Sequence, residues 1–296
     1  MVSDSDHDVV VVGGGPAGCS TGVFAARYGL DTVVFDRGRS SIQRCAFLEN
    51  YLGFPGGIDI ETFYALMHDH AEEAGCSILD DVVESVERDG DGFVVTPQDG
   101  DPVTARWVVA ATRYDGEYLR PLDGDAMFVT RDHAGEESER FDRDYANADG
   151  STPVDGLFVA APYGETGYQA SMAAGRGARV GITLVEAVRR ARGYPESVAN
   201  HYDWMRPEAE LDEGWRDPDR WREWFDDHLP DDHGLDDDRL DTLRERDVER
   251  RLDTYLTEAE VERRKERAHE RLLDHVDDER ILAAAREIEA ERASSD

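Results

Sequence analysis

The run Gly13-Gly14-Gly15-Pro16-Ala17-Gly18 leaves this chain few ways to fold. It follows a β-branched segment, Asp8 to Val12, whose unbroken apolar character suits a parallel strand buried on both faces. It opens a stretch of small, helix-compatible residues from Pro16 to Tyr28, with Gly29 as a helix stop and Asp31 to Asp36 as a second strand. Residues 8–36 therefore have the size and order of a βαβ unit, and that context gives meaning to an otherwise weak G-x-G-x-x-G pattern. Gly13 permits a tight turn, Gly15 removes the side chain where a pyrophosphate must approach the backbone, and Gly18 lets the helix pack closely on the strand. The helix N-terminus at Pro16 and Ala17 offers free N–H groups and a positive dipole end to an anion. Asp36, at the end of the second strand, is placed to accept a hydrogen bond from a ribose 2′-OH, with Arg37 beside it.

Further on, strand and helix signals alternate. A helix reads from about Glu61 to Ala74, with Phe63, Leu66 and Met67 at helical spacing and Gly75 as its stop. Strands follow at Cys76–Leu79 and Val82–Glu87, then Phe93–Thr96 and Val103–Ala111 as a hairpin and a return into the sheet. Tyr114 to Gly150 is polar, Gly-rich and weakly periodic, and reads as an irregular connection. Order resumes with a strand at Leu157–Ala161 and a helix from about Gln169 to Ala191. Beyond Gly193 the composition turns to Arg, Asp and Glu and holds Trp204, Trp215, Trp221 and Trp224, four of the five tryptophans. Thr257-Glu-Ala-Glu260 is a capping box for an amphipathic helix, and Asp277 or Asp278 caps another, to about Ala293. The tryptophans suit a lid, a dimer interface, a docking surface or the packing of a small helical subdomain.

The fingerprint alone does not distinguish FAD from NAD. Several later segments do bear on it: Asn50-Tyr-Leu-Gly-Phe-Pro-Gly-Gly-Ile58, His70-Ala-Glu-Glu-Ala-Gly75, Val108-Val-Ala-Ala-Thr112, Val154-Asp-Gly-Leu-Phe-Val-Ala-Ala161, Gln169-Ala-Ser and Ala173-Ala-Gly175. In this order they resemble the FAD domain of the thioredoxin reductase family, over about residues 8–113 and 151–190. The resemblance implies a Rossmann-like α/β fold, a parallel sheet with helices and a β-meander, followed by a helical extension. It implies FAD as cofactor, bound by a split domain of residues 1–113 and 151–192. Residues 114–150 stand where the family has its NAD(P)H domain, and 193–296 form the acidic, Trp-containing extension. Carried over residue by residue, Gly13, Gly15 and Gly18 face the pyrophosphate with Pro16 and Ala17, and Asp36 and Arg37 the ribose. Asn50 serves the flavin end, the Val83 backbone the adenine, and Ala111 and Thr112 the end of the central strand. Gln169 and Ala170 start the helix facing the isoalloxazine.

Three departures bear on activity. No second glycine fingerprint and no Cys-x-x-Cys occur in the sequence, Pro162-Tyr163 stands where the family has Gly-Asp, and Arg113 replaces the glycine of Ala-Thr-Gly. The expectation is therefore an FAD-binding oxidoreductase fed by a partner protein or a diffusible donor. The alternatives are a non-catalytic flavin or nucleotide module, a sensor or assembly factor, or an NAD-binding protein. Cys45, next to Arg44 in the loop before Asn50, is the candidate redox thiol, by charge-transfer contact or disulfide exchange. Cys19 and Cys76 read as core residues. The histidines show no metal-like grouping, and a homodimer is left open.

Charge bounds the remaining classes. With 67 acidic against 33 basic residues the formal charge is −34, which repels nucleic acid and anionic membranes. Lys265 is the only lysine, and the acids are spread along the chain, as in cytoplasmic proteins of extreme halophiles. The polar N-terminus and the lack of a bilayer-length apolar run point to a cytoplasmic protein.

Overall fold

A parallel sheet forms where β-branched residues are buried from both sides. In the computed structural model, which describes residues 5–38, 40–113, 116–133, 136–164, 169–212 and 214–295, Val9, Val10 and Val11 are wholly inaccessible to solvent. They belong to β1 (His7–Val12), followed by α1 (Pro16–Arg27), β2 (Thr32–Phe35) and the short antiparallel pair β3 (Phe47–Leu48) and β4 (Ile58–Asp59). Then come α2 (Ile60–Glu73), β5 (Cys76–Leu79), β6 (Val83–Asp89), β7 (Gly92–Pro97) and β8 (Val103–Ala111). After β8 lie α3 (Arg120–Asp123), β9 (Phe128–His133), β10 (Glu136–Phe141), β11 (Leu157–Ala161) and α4 (Ala170–Ala191).

The main sheet has the order β5-β2-β1-β8-β7-β6, with β11 also paired to β8. β5, β2, β1, β8 and β11 run parallel, while β6, β7 and β8 form an antiparallel meander. β8 serves both sides of this change: Val103 to Ala105 pair with β7, and Val108 to Ala110 pair with β11. The expected strands and helices are present with ends shifted by a residue or two, which is the usual uncertainty of element boundaries. Two cores lie on opposite faces of the sheet, as period-two alternation requires. Val10, Val12, Phe35 and Val108 face one; Val9, Val11, Val34 and Val109 face the other, against α1 and α4.

α1 and α4 cross at backbone contact. The would-be Cβ of Gly177 lies 2.1 Å from the Ala17 carbonyl oxygen and that of Gly181 lies 2.8 Å from Phe24 Cβ. The Thr21 hydroxyl is 3.0 Å from the carbonyls of both Ala17 and Gly177, so the two helices share a hydrogen-bonding group at the contact.

The segment from Tyr114 to Gly150, expected to be irregular, carries more order than its polarity indicated. Tyr114 itself lies outside the described residues. From Glu117 a helical turn and α3 lead to the β9–β10 hairpin, paired from Phe128↔Phe141 to His133↔Glu136. Tyr118, Leu119, Met127 and Phe141 are buried in the core that holds Val10 and Val108. These apolar residues are too widely spaced to register as a helix or strand period, yet each has a place on the sheet, and Gly116 admits the Phe141 ring where a Cβ would stand 2.5 Å from it.

The chain divides into two compact units, Met1–Gly193 with Ala199–Asp203, and Tyr194–Val198 with Trp204–Asp296. The second unit contains α5 (Pro218–Asp227), α6 (Asp237–Leu252), α7 (Glu258–Leu273) and α8 (Asp278–Ser295), with the two-residue parallel strands β12 (Arg206–Pro207) and β13 (Tyr255–Leu256). Its small core holds Phe225, Leu243 and Val248. Three tryptophans serve this packing: Trp221 Nε1 donates to the Trp215 carbonyl at 2.8 Å, and the Arg251 guanidinium lies 3.9 Å from the Trp224 ring centroid. Trp204 is exposed. The capping box of α7 is formed in both directions between Thr257 and Glu260. No described helix is long and apolar enough to cross a membrane.

Candidate functional site

A cleft opens beyond the carboxyl ends of β1, β2, β8 and β11, the position where open α/β sheets bind ligands. Its walls include Val12 and Gly13 at the end of β1, Phe35 and Asp36 at the end of β2, Ala111 and Thr112 at the end of β8, and Ala160 and Ala161 from β11. The crossover from Ala111 to Leu157 returns the chain beside β8, so two segments distant in sequence share one cavity wall.

The glycine loop is built as the motif requires. Gly13 has φ +118°, and a Cβ there would stand 2.7 Å from the Ala111 carbonyl oxygen. Gly15 is the N-cap of α1 with no side-chain cap, and Pro16 occupies the first turn. The first N–H groups of α1 therefore have no side-chain acceptor at the cap. A Cβ on Gly15 would meet Ser40 Oγ at 2.8 Å, so the loop and Ser40 form a cradle that a side chain would fill. Gly18 does not line the cleft; its would-be Cβ falls 1.7 Å from the Gly13 carbonyl oxygen, which makes it the contact between helix and loop.

The second helix start at the cleft is that of α4. Gln169 is its N-cap, again without a side-chain cap, and the first turn carries no acidic residue. Gln169, Ala170 and Ala173 line the cleft. Asn50 is not a lining residue, but its Nδ2 donates to Gln169 Oε1 at 3.1 Å, which ties together two residues 119 apart. Pro16, Ala17, Arg37, Cys45 and Val83 all line the cleft. Cys45 is exposed and follows a helical turn, Ser41–Arg44. Cys19 and Cys76 are buried, and burial pushes the Cys76 thiol up to about 12.

Two departures noted in the sequence have visible local structure. Arg113 lines the cleft and its Nη1 donates to Ser41 Oγ at 3.2 Å. Tyr163 stacks under Arg176, whose guanidinium lies 3.8 Å from the ring centroid and donates to the Ala148 carbonyl. Burial lowers the Arg176 pKa from its ordinary value.

Sequence reasoning placed Asp36 but missed what holds it. The carboxylate is 5% exposed. Tyr64 donates its hydroxyl to Asp36 Oδ2, His68 Nε2 stands 3.3 Å from the same oxygen, and the Gly38 N–H donates to Oδ1 at 3.1 Å. His68 Nε2 also lies 3.0 Å from the Gly14 carbonyl oxygen, to which the Cys19 thiol donates at 3.2 Å. Burial opposes charge on Asp36, but the bonds from His68, Tyr64 and Gly38 outweigh it and hold its pKa below the ordinary value. Burial likewise disfavours imidazolium at His68, yet its bonds to Asp36, Cys19 and the Gly14 carbonyl raise it to about 10. The available signal was the four-residue spacing of Tyr64 and His68, which puts both on one face of α2. Among the described residues, no group of three or more His, Cys, Asp and Glu is arranged to hold a metal ion.

Fold and cleft together define a doubly wound α/β domain whose cleft lies at the carboxyl ends of its parallel strands. The chain matches the pyridine nucleotide-disulphide oxidoreductase family over residues 7–209, and it belongs to that family, whose members are FAD-binding flavoproteins. Among curated proteins it is similar to the bifunctional thioredoxin reductase/thioredoxin of Mycobacterium leprae, 36% identical over 120 residues, covering 38% of this chain and 25% of that protein. It is also 31% identical over 109 residues to the thioredoxin reductase of Streptomyces clavuligerus, covering 36% of this chain and 34% of that one. The matches thus span about a quarter to a third of these relatives' lengths. Among solved structures, a thioredoxin reductase from Gloeobacter violaceus superposes with a TM-score of 0.53 at 18% identity, covering 68% of this chain and 98% of the other.

Proposed function

We propose that this chain binds FAD in the cleft and acts as an oxidoreductase whose electrons come from a partner protein or a diffusible donor. The observation that carries this reading is the pair of helix starts without side-chain caps, at Gly15 and Gln169, opening on one cleft that the buried carboxylate of Asp36, just after β2, also lines. A flavin dinucleotide offers two groups that such helix ends favour, the bridging pyrophosphate and a ring that becomes negative on reduction.

In this reading the N-terminus of α1, with Gly13, Gly15, Pro16 and Ala17, holds the pyrophosphate. Asp36 accepts from the adenosine ribose beside Arg37, and the Val83 backbone takes the adenine edge. Ala111 and Thr112 floor the site. Gln169, fixed by Asn50, and Ala170 present the α4 N-terminus to the isoalloxazine, where the helix dipole favours developing negative charge. When bound, the flavin supplies the electron-transfer chemistry. Cys45 is the cysteine that lines the cleft, and it is exposed there.

The purified protein is expected to be yellow, or to become so with FAD, with a flavin absorption spectrum; colourless protein that cannot be reconstituted would remove the reading. Stopped-flow mixing with NADH, NADPH and dithiols identifies the donor. Bound flavin that no donor bleaches would favour a nucleotide-binding module without turnover. Cys45→Ser is expected to abolish any long-wavelength band of the reduced protein, and an unchanged reduced spectrum would exclude Cys45 from redox chemistry.

A further inference from the structure

The glycine loop and the ribose carboxylate are usually treated as separate recognition elements, yet here one side chain touches both. His68 reaches from α2 behind the loop and places Nε2 3.0 Å from the Gly14 carbonyl oxygen and 3.3 Å from Asp36 Oδ2. Cys19, from the first turns of α1, donates to the same carbonyl from another side. A peptide unit is planar and trans, so its C=O and N–H point in opposite directions. A Gly14 carbonyl held by His68 and Cys19 therefore turns the N–H of Gly15 away from α2 and toward the open side of the loop. Gly14 cannot be replaced by a larger residue that would do this by packing, because a Cβ there would stand 2.5 Å from Asp36 Cβ.

The same histidine limits what Asp36 can accept. An ionised carboxylate has about four acceptor positions. Tyr64 and His68 engage Oδ2 and Gly38 engages Oδ1, which leaves the acceptor capacity on Oδ1 for a ligand hydroxyl.

We propose that His68 is a positioning residue for dinucleotide binding, a clamp that orients the diphosphate-facing peptide Gly14–Gly15 and the ribose-facing carboxylate of Asp36 together, with Tyr64 holding the carboxylate alone. The inference rests on the dinucleotide reading of the cleft. As imidazolium, His68 also sets a fixed positive charge behind the loop of a chain whose net charge is −34. The groups facing it are Asp36 after β2, Cys19 of α1, the Gly14 carbonyl, and Tyr64 on its own helix, with Asp80 acting on Tyr64 from the end of β5.

The test uses the full chain, freed of flavin, titrated calorimetrically with FAD, ADP and 2′-deoxy-ADP in wild type, His68→Gln and Tyr64→Phe. At pH 8, His68→Gln is expected to weaken ADP by about tenfold or more and to shrink the penalty for deleting the 2′-hydroxyl. Tyr64→Phe is expected to shrink only that penalty. Wild-type affinity for ADP should fall as pH rises through about 10, where ADP itself does not titrate, and His68→Gln should show no such fall. Equal ADP affinities, equal deoxy penalties and a flat wild-type pH profile would overturn the inference while FAD binding stands. If His68→Gln does not fold, an unchanged deoxy penalty in Tyr64→Phe with a flat wild-type profile overturns it equally. A wild type that binds neither FAD nor ADP removes the flavin reading and the clamp with it.

Discussion

Gly177→Ala is expected to destabilise the first unit by roughly 3 kcal/mol or more, whereas Gly175→Ala, two residues earlier on the same helix, is expected to stabilise it by about 0.5–1 kcal/mol. The two glycines share helix α4 and differ in what lies beside them. A Cβ at 175 meets nothing within 4 Å, and one at 177 falls 2.1 Å from the Ala17 carbonyl oxygen, less than two thirds of an ordinary carbon–oxygen contact. Backbone cannot step aside as a side-chain tip can, so α1 and α4 must separate by more than an ångström. Separation breaks the Thr21 link to Gly177 and opens the packing of Val180 and Leu184 against β1 and α1. The damage reaches the glycine loop, because α1 begins at the residues that form it. Urea unfolding of the two variants against wild type measures both signs at once, and equal midpoints would sink the account of this crossing.

The second large effect lies at Asp36. Asp36→Ala is expected to cost about 2–4 kcal/mol near pH 6, because it leaves His68 and the Tyr64 hydroxyl without their acceptor in a half-buried site. The figure sits toward the low end for a broken buried pair because the His68 side chain is 23% exposed and partly screened. The loss should depend on pH in a defined direction. Asp36 is more acidic in the fold than in the unfolded chain, so its contribution is present above about pH 4 and disappears as pH falls through the folded value. His68 is raised to about 10, so its contribution is complete below about 6.5, the unfolded value, and declines until pH passes 10. The pair therefore stabilises most between about pH 4 and 6.5. The gap between wild type and Asp36→Ala is expected to be widest there and to narrow steadily toward pH 10. Denaturant titrations at pH 6 and pH 9.5 check this, and a gap that widens with pH would contradict it.

Much of the fold could be read from local pattern because the residues that make it are close in sequence and strongly typed. The valines of β1, the glycine loop, β8 and the Thr257 capping box are each specified by neighbours within a few positions. Residues 114–150 were not, because Tyr118, Leu119, Met127 and Phe141 find their places only once the sheet exists. The same distinction divides the cleft. Gly13, Gly15 and Asp36 declare themselves through motif spacing, while His68 and Tyr64 matter only because α2 packs its face against the loop's underside. Gly177 is likewise silent in sequence: its need for no side chain comes from Ala17, 160 positions away. Asn50 and Gln169 fall between these cases, since resemblance to a family named each one but only folding shows that they bond to each other.

β8 and β11 lie side by side with Leu157 opposite Val108 and Val159 opposite Ala110. Everything from Thr112 to Gly156 leaves and re-enters the sheet along that one seam, at neighbouring strands. Loop-closure entropy grows only slowly with the length of the excursion, so extra chain inserted there costs the sheet little as long as Tyr118, Leu119, Met127 and Phe141 keep their places in its core. The seam is in effect a socket for insertions. Chain inserted within this connection, clear of its core and cleft-lining residues, would leave the rungs between β8 and β11 in place.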